Sequence, residues 1–125
     1  MAKTVLIVED NELNMKLFRD LLEAHGYQTS GTSNGFEALD LVRKLRPDLI
    51  LMDIQLLGMS GIQALSVLRA GPATGEIPVI AVTASVMQQD RKQITDAGFD
   101  AYLGKPLDLK EFLKTVTRVL EASRS

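Results

Sequence analysis

The chain has no cysteine, a single histidine and no apolar run near the ~18 residues that suggest a membrane span, and each absence removes a class of function. Without cysteine there is no disulfide, thiol nucleophile or thiolate metal site, and His25 alone cannot assemble a histidine-rich centre. An excess of one charge is lacking too: a net charge of -2 gives no electrostatic case for nucleic acid or an anionic membrane surface. The opening Met1-Ala2-Lys3-Thr4 carries no secretory apolar region, so the chain reads as a cytoplasmic, soluble protein. What is present is ordinary for a globular domain, 46% hydrophobic and 24% charged residues over 125 positions, enough to bury one full core. One domain is expected over 1–125, with no output domain.

The stretch from Asp48 to Gly58 organises the rest. Four unbroken apolar residues, Leu49 to Met52, read as a strand covered on both faces, the pattern of a parallel sheet between helices. Asp53 closes it. Thr4 to Val8 is a second such run and ends in Glu9 and Asp10, and Val79 to Val82 is a third, ending at Thr83. Tyr27 to Thr32 is more polar and Ala101 to Leu103 is short, so both belong at sheet edges.

Helix signals separate these strands. Asn11 opens the first helix, which should end near His25 with Gly26 as its left-handed stop. On a wheel of about 100° per residue, Leu17, Leu21, Phe18 and Leu22 fill an arc from roughly 40° to 180° that is the expected core face, with Leu13 and Met15 half exposed at its edges. Asn34 with Glu37 resembles a capping box for a helix to about Leu45, halted ahead of Pro47; Ser60 with Gln63, Ser85 with Gln88 and Asp108 with Glu111 give three more starts. The loop from Ala70 to Glu76 reads as surface filler. The predicted helix from Val86 to Ala97 has a wholly polar middle, Gln88 to Gln93, and is expected to be weakly packed and mobile. Five strands alternating with five helices make a doubly wound (βα)5 flavodoxin-like α/β sheet, and the apolar runs place strands 1, 3 and 4 in the middle, giving order 2-1-3-4-5.

That order puts the switch point of the sheet between strands 1 and 3, where ligands of open α/β sheets bind. Glu9 and Asp10 then sit beside Asp53, with Thr83 next and Lys105 beyond. Three gathered carboxylates repel: a unit-charge pair at ~4 Å is worth roughly 4 kcal/mol at an effective dielectric near 20. Oxygen-only ligands point to a hard cation, and carboxylates with waters and a phosphate oxygen are how Mg²⁺ is held. Lys105 supplies a movable cation for a phosphoryl oxygen, Thr83 a hydroxyl for another, and the small Ala84 leaves room. Asp53 is the natural nucleophile, because carboxylates can accept a phosphoryl group.

The set Glu9-Asp10, Asp53, Thr83-Ala84 and Lys105-Pro106 resembles the receiver domain of bacterial two-component response regulators, over essentially the whole chain. The opening from Val5 to Asn14, with Asp48 to Gln55, is similar to single-domain cell-division regulators of the DivK type. Similar openings also occur in receivers fused to hybrid kinases. The resemblance implies that Asp53 takes a phosphoryl group from a phosphohistidine on a histidine kinase or histidine phosphotransfer protein and that the chain then binds a downstream protein target. It implies direct Mg²⁺ ligation by Asp10, Asp53 and the main-chain carbonyl of Gln55, with Glu9 acting through water. It makes Thr83 and Lys105 the holders of the phosphoryl oxygens, and Thr83 and Tyr102 the switch pair. Leu57 departs from the family, which usually has proline there. Leu13, Asn14 and Leu17, with Pro106 across the crevice, form the expected docking patch for a helical donor. A monomer that contacts neither nucleic acid nor membrane is expected, and no enzyme beyond self-phosphorylation and slow autodephosphorylation.

Two other classes share the architecture. A flavodoxin-like carrier would need a phosphate loop after strand 1, where Glu9-Asp10-Asn11-Glu12 would repel a phosphate. A Mg²⁺-dependent phosphatase of the haloacid-dehalogenase type would typically carry a second aspartate at Gln55, together with a cap that 125 residues leave no space for.

Overall fold

The computed structural model describes residues 3–54, 61–71, 74–83, 98–104 and 108–122, with the backbone alone at Gly61 and Thr83. The apolar runs form β1 (Thr4–Val8), β3 (Leu49–Asp53) and β4 (Val79–Thr83), and the polar and short segments form β2 (Gln28–Thr32) and β5 (Ala101–Gly104). All neighbours pair in parallel, in the order β2-β1-β3-β4-β5 that the sequence predicts. Four helices are described: α1 (Glu12–Ala24), α2 (Gly35–Leu45), α3 (Gly61–Ala70) and α4 (Leu109–Ala122). The helix expected over 86–97, with its Ser85 cap, and the Ser60 cap lie outside the described residues.

Side-chain alternation divides the core into two layers. Leu6, Val8, Ile50, Met52, Val79 and Ala81 face α2 and α3, where Ala38, Val42, Leu65 and Leu68 meet them. Val5, Ile7, Leu49, Leu51, Ile80 and Val82 face α1 and α4. On that side Phe18 and Phe112 stack with centroids 5.6 Å apart and planes 12° from parallel, locking the two helices together.

Caps set the helix starts. The Asn11 Oδ1 accepts from the Asn14 N–H at 3.0 Å, Asn34 Oδ1 from Phe36 and Glu37 at 2.8 and 3.2 Å, and Asp108 Oδ1 from Lys110 and Glu111 at 3.0 and 3.2 Å. In the second, the Asn34 N–H donates to Thr32 Oγ1 at 3.2 Å, the bond a capping box would give to Glu37. Gly26, at φ +87°, ends α1 as expected.

Two expectations need correction. The wheel puts Leu17 on the core arc of α1, yet it is 38% exposed, and Leu13, expected half exposed at the edge, is 80% exposed. The helix is rolled so that Met15 lies against β2, where Gly31 has no side chain: a Cβ at Gly31 would come within 2.7 Å of Met15 Sδ. The buried arc therefore centres on Phe18 and Leu22. The loop after α3 is also more than filler. Thr74 is buried and its hydroxyl donates to Leu68 O at 2.7 Å. Arg69 donates through Nη1 to the carbonyls of Gly75 and Ile77 at 3.0 and 2.6 Å, and through Nη2 to Gly98 O at 3.1 Å and Asp100 Oδ2 at 2.8 Å. The same Asp100 oxygen accepts from the Val79 N–H at 2.7 Å, so one side chain ties α3, the loop and the entries to β4 and β5.

Candidate functional site

Parallel pairing of Val8 with Met52 brings the residues after β1 level with the end of β3. One carboxylate oxygen each from Glu9, Asp10 and Asp53 then lie within 4.8 Å of one another. Glu9 and Asp53 are only 2% and 5% exposed, whereas Asp10 faces solvent. The turn that does this is held locally: the Glu9 N–H donates to Thr32 O at 3.0 Å, and its Oε1 accepts from the Asn11 N–H at 3.2 Å. Beyond Asp53, the Ile54 N–H donates to Val82 O at 3.1 Å, so the acid sits on a strand fixed on both sides of it.

Two buried acids and one exposed acid so close together favour a positive occupant. The donors are all carboxylate oxygens, which suits a hard divalent ion and not a soft transition metal. The cluster fits a metal ion, with Asp10 on the open side where an ion and a substrate would enter.

Other expected site residues fall around it. Thr83 ends β4 in register with Gly104, on the strand next to Asp53. Tyr102 is half-buried on β5 and packs against the layer under α2 and α3. Leu13, Asn14 and Leu17 occupy the first turns of α1 immediately after the acids, with Asn14 half-buried. The Thr83 side chain, Gln55, Leu57, Ala84, Lys105 and Pro106 lie outside the described residues. A cavity between α1 and β2, lined in part by Lys16, Arg19 and Gly31, was not anticipated. A glycine inside a strand was the signal for that close approach.

The family model of the response regulator receiver domain matches residues 5–117. The chain belongs to this family. It is a receiver domain of two-component signalling, and the phosphatase alternative finds no support. The receiver is 54% identical over 120 residues to the polar-differentiation response regulator DivK of Brucella anthropi, covering 96% of this chain and 98% of that protein, and 52% identical to its counterpart in Brucella suis, with the same coverage. Among solved structures it resembles a putative response regulator from Chloroflexus aurantiacus, at TM-score 0.93 and 28% identity, covering 97% of the receiver and 99% of that chain. It also resembles the receiver domain of a sensor histidine kinase from Pseudomonas aeruginosa, at TM-score 0.89 and 31% identity with the same coverage; that structure has a magnesium ion coordinated in its active-site cleft. Receivers are signalling proteins that work with histidine kinases or phosphotransfer proteins. Among the described residues no helix is long and apolar enough to cross a membrane.

Proposed function

We propose that Asp53 is the phosphoacceptor of a phosphorelay that acts in polar differentiation and cell division, the first being the process named for the Brucella relatives. A carboxylate oxygen of Asp53 attacks the phosphorus of a phosphohistidine, the P–N bond breaks, and the imidazole leaves as the aspartyl phosphate forms. The observation that carries this reading is the buried Asp53 within 4.8 Å of two further acids at the mouth of the sheet. Asp10, Asp53 and the carbonyl of Gln55 would hold Mg²⁺, with Glu9 acting through water. When bound, the ion neutralises the acids and the incoming phosphoryl oxygens. Lys105 and Thr83 hold those oxygens, and Tyr102 turns inward with Thr83 as the switch that biases binding of a downstream target. The chain acts as a monomeric single domain that dephosphorylates slowly by itself.

The test is stoichiometry with a phosphohistidine donor. Labelling of up to one phosphoryl group per chain, decaying slowly, supports the reading, and many-cycle hydrolysis of small phosphate esters defeats it. A panel of histidine kinases and phosphotransfer proteins compared at short times would identify the donor.

Mg²⁺ should raise thermal stability, by about 2.7 kcal/mol at 100 times its dissociation constant. Asp10→Asn should stabilise the metal-free protein by relieving repulsion and should shrink the Mg²⁺ effect. A melting temperature unmoved by millimolar Mg²⁺ would refute the metal site.

Leu13, with Asn14, Leu17 and Pro106, is the docking patch. Because Leu13 is 80% exposed, Leu13→Ala removes little core packing. It should slow transfer from a protein donor about tenfold, the effect of losing roughly 1.4 kcal/mol at an interface anchor. Phosphorylation by acetyl phosphate should be unchanged. Equal slowing with both donors, or none with either, would remove Leu13 from the docking surface.

A further inference from the structure

We infer that the cavity between α1 and β2 binds a small oxyanion, a phosphate monoester or a carboxylate, held by Arg19 and Lys16. Its volume is about 380 Å³, inside the range of small-molecule sites. The floor is built. Gly31 faces Met15, and a Cβ there would stand 2.7 Å from Met15 Sδ and 3.2 Å from Arg19 Nη2, so glycine is what lets the guanidinium lie over the strand.

Lys16 and Arg19, three residues apart, share a helix face along the cavity. Neither forms an ion pair among the described residues, where the recorded pairs are Arg43 with Asp40 and Arg69 with Asp100. Lys16 stands four residues after Glu12, a spacing that allows a pair, and none forms within 4.0 Å. Two adjacent, exposed cations with no ion-paired acid among the described residues, one of them a planar fork suited to carboxylate and phosphate, make an anion subsite. Thr32 and Ser33 add hydroxyl groups to the same lining.

Glu9, Asp10 and Glu12 line the same cavity, Glu12 one helical turn before Lys16, and all three repel an anion. A divalent ion on Glu9 and Asp10 would reverse the sign of the cavity, so oxyanion binding should be tighter with Mg²⁺ present. In that respect the inference rests on the metal site proposed above.

The test is a backbone and Arg Nε NMR titration of the full chain, with and without Mg²⁺, using glycerol 2-phosphate and glutarate separately. The two probes distinguish the phosphate from the carboxylate source. Saturable shifts should appear at Gly31, Thr32 and the Arg19 Nε, with at least tenfold weaker binding in Arg19→Gln and in Gly31→Ala. Shifts confined to the neighbours of Asp53, no saturation with either probe, or unchanged affinity in Arg19→Gln would overturn the inference. Mg²⁺ is read independently at the amides of Asp10 and Ile54. If those do not move, the metal reading has failed, and the metal-free titration decides the subsite alone: saturable shifts at Gly31 uphold it and their absence overturns it.

Discussion

Asp53→Asn should abolish phosphoryl acceptance from protein and small donors alike. The substitution conserves volume at a site that is 5% exposed at the end of a fully buried strand, so the fold has no cavity to absorb. On the proposed role of Asp53, what disappears is the nucleophile, because a carboxamide oxygen carries no full negative charge to attack phosphorus. Asp53→Glu separates position from charge. It keeps the carboxylate and displaces it by one methylene, and a misplacement of about 1 Å costs roughly a hundredfold in rate. Labelling with acetyl phosphate, followed by intact mass, should therefore give none for Asn and about a hundredfold slower labelling for Glu. Both variants should melt cooperatively, and Asn should respond more weakly to Mg²⁺ than the wild type. Full labelling of Asp53→Asn would move the acceptor elsewhere, and labelling of Asp53→Glu at the wild-type rate would mean that geometry at this strand end does not govern the chemistry.

Among the described residues outside the core, the largest stability loss is expected at Arg69. Its guanidinium, 26% exposed, donates to three carbonyls and to Asp100, which is 41% exposed. Hydrogen bonds to charged groups are each worth about 1.5–3 kcal/mol, but water can reach several of these acceptors, so the bonds will not sum. Arg69→Ala should cost about 2–4 kcal/mol and lower the melting temperature by on the order of 10 °C for a domain of this size. A lysine cannot reach four acceptors from one ammonium, so Arg69→Lys should recover less than half of the loss. Asp100→Asn keeps an acceptor for the Val79 N–H and gives up only charge, so it should fall between Arg69→Ala and wild type. Urea unfolding of the three variants measures the series. An Arg69→Ala protein within about 0.5 kcal/mol of wild type would mean that the clamp is dispensable.

Arg69 was invisible in the sequence for a reason that separates what could be read from what could not. The strands, their order and the meeting of Glu9, Asp10 and Asp53 follow from runs of apolar residues and what ends them, which are local signals. The Asn34 and Asp108 caps are local too, and both were legible. Arg69 acts on the Gly98 carbonyl and the Asp100 carboxylate, 29 and 31 residues away, and neither a backbone carbonyl nor a surface aspartate marks its distant partner in the sequence. The rotation of α1 failed in the same way. Leu13, Leu17 and Met15 are similar hydrophobes on a wheel, and what turned the helix was the absent side chain of Gly31 on a neighbouring strand. The opposite-facing layers under α1 and α4, and under α2 and α3, were implied by period-2 alternation, but which helix face met them depended on such contacts.

The central position of β1 bears on how the chain assembles during synthesis. Thr4 pairs with Gln28 and Val5 with Leu49, so β1 leaves the ribosome with both flanks open until β2 and then β3 emerge. Once Asp53 is out, the nascent chain carries a complete three-stranded unit, β2-β1-β3, and the whole Glu9, Asp10 and Asp53 set, while β4 and β5 are still to be added along one side. A translating ribosome would therefore expose these mutually repelling acids early, beside the bare β3 edge. A divalent cation held by Glu9, Asp10 and Asp53 would offset that repulsion and so help the ends of β1 and β3 stay together before the rest of the sheet arrives.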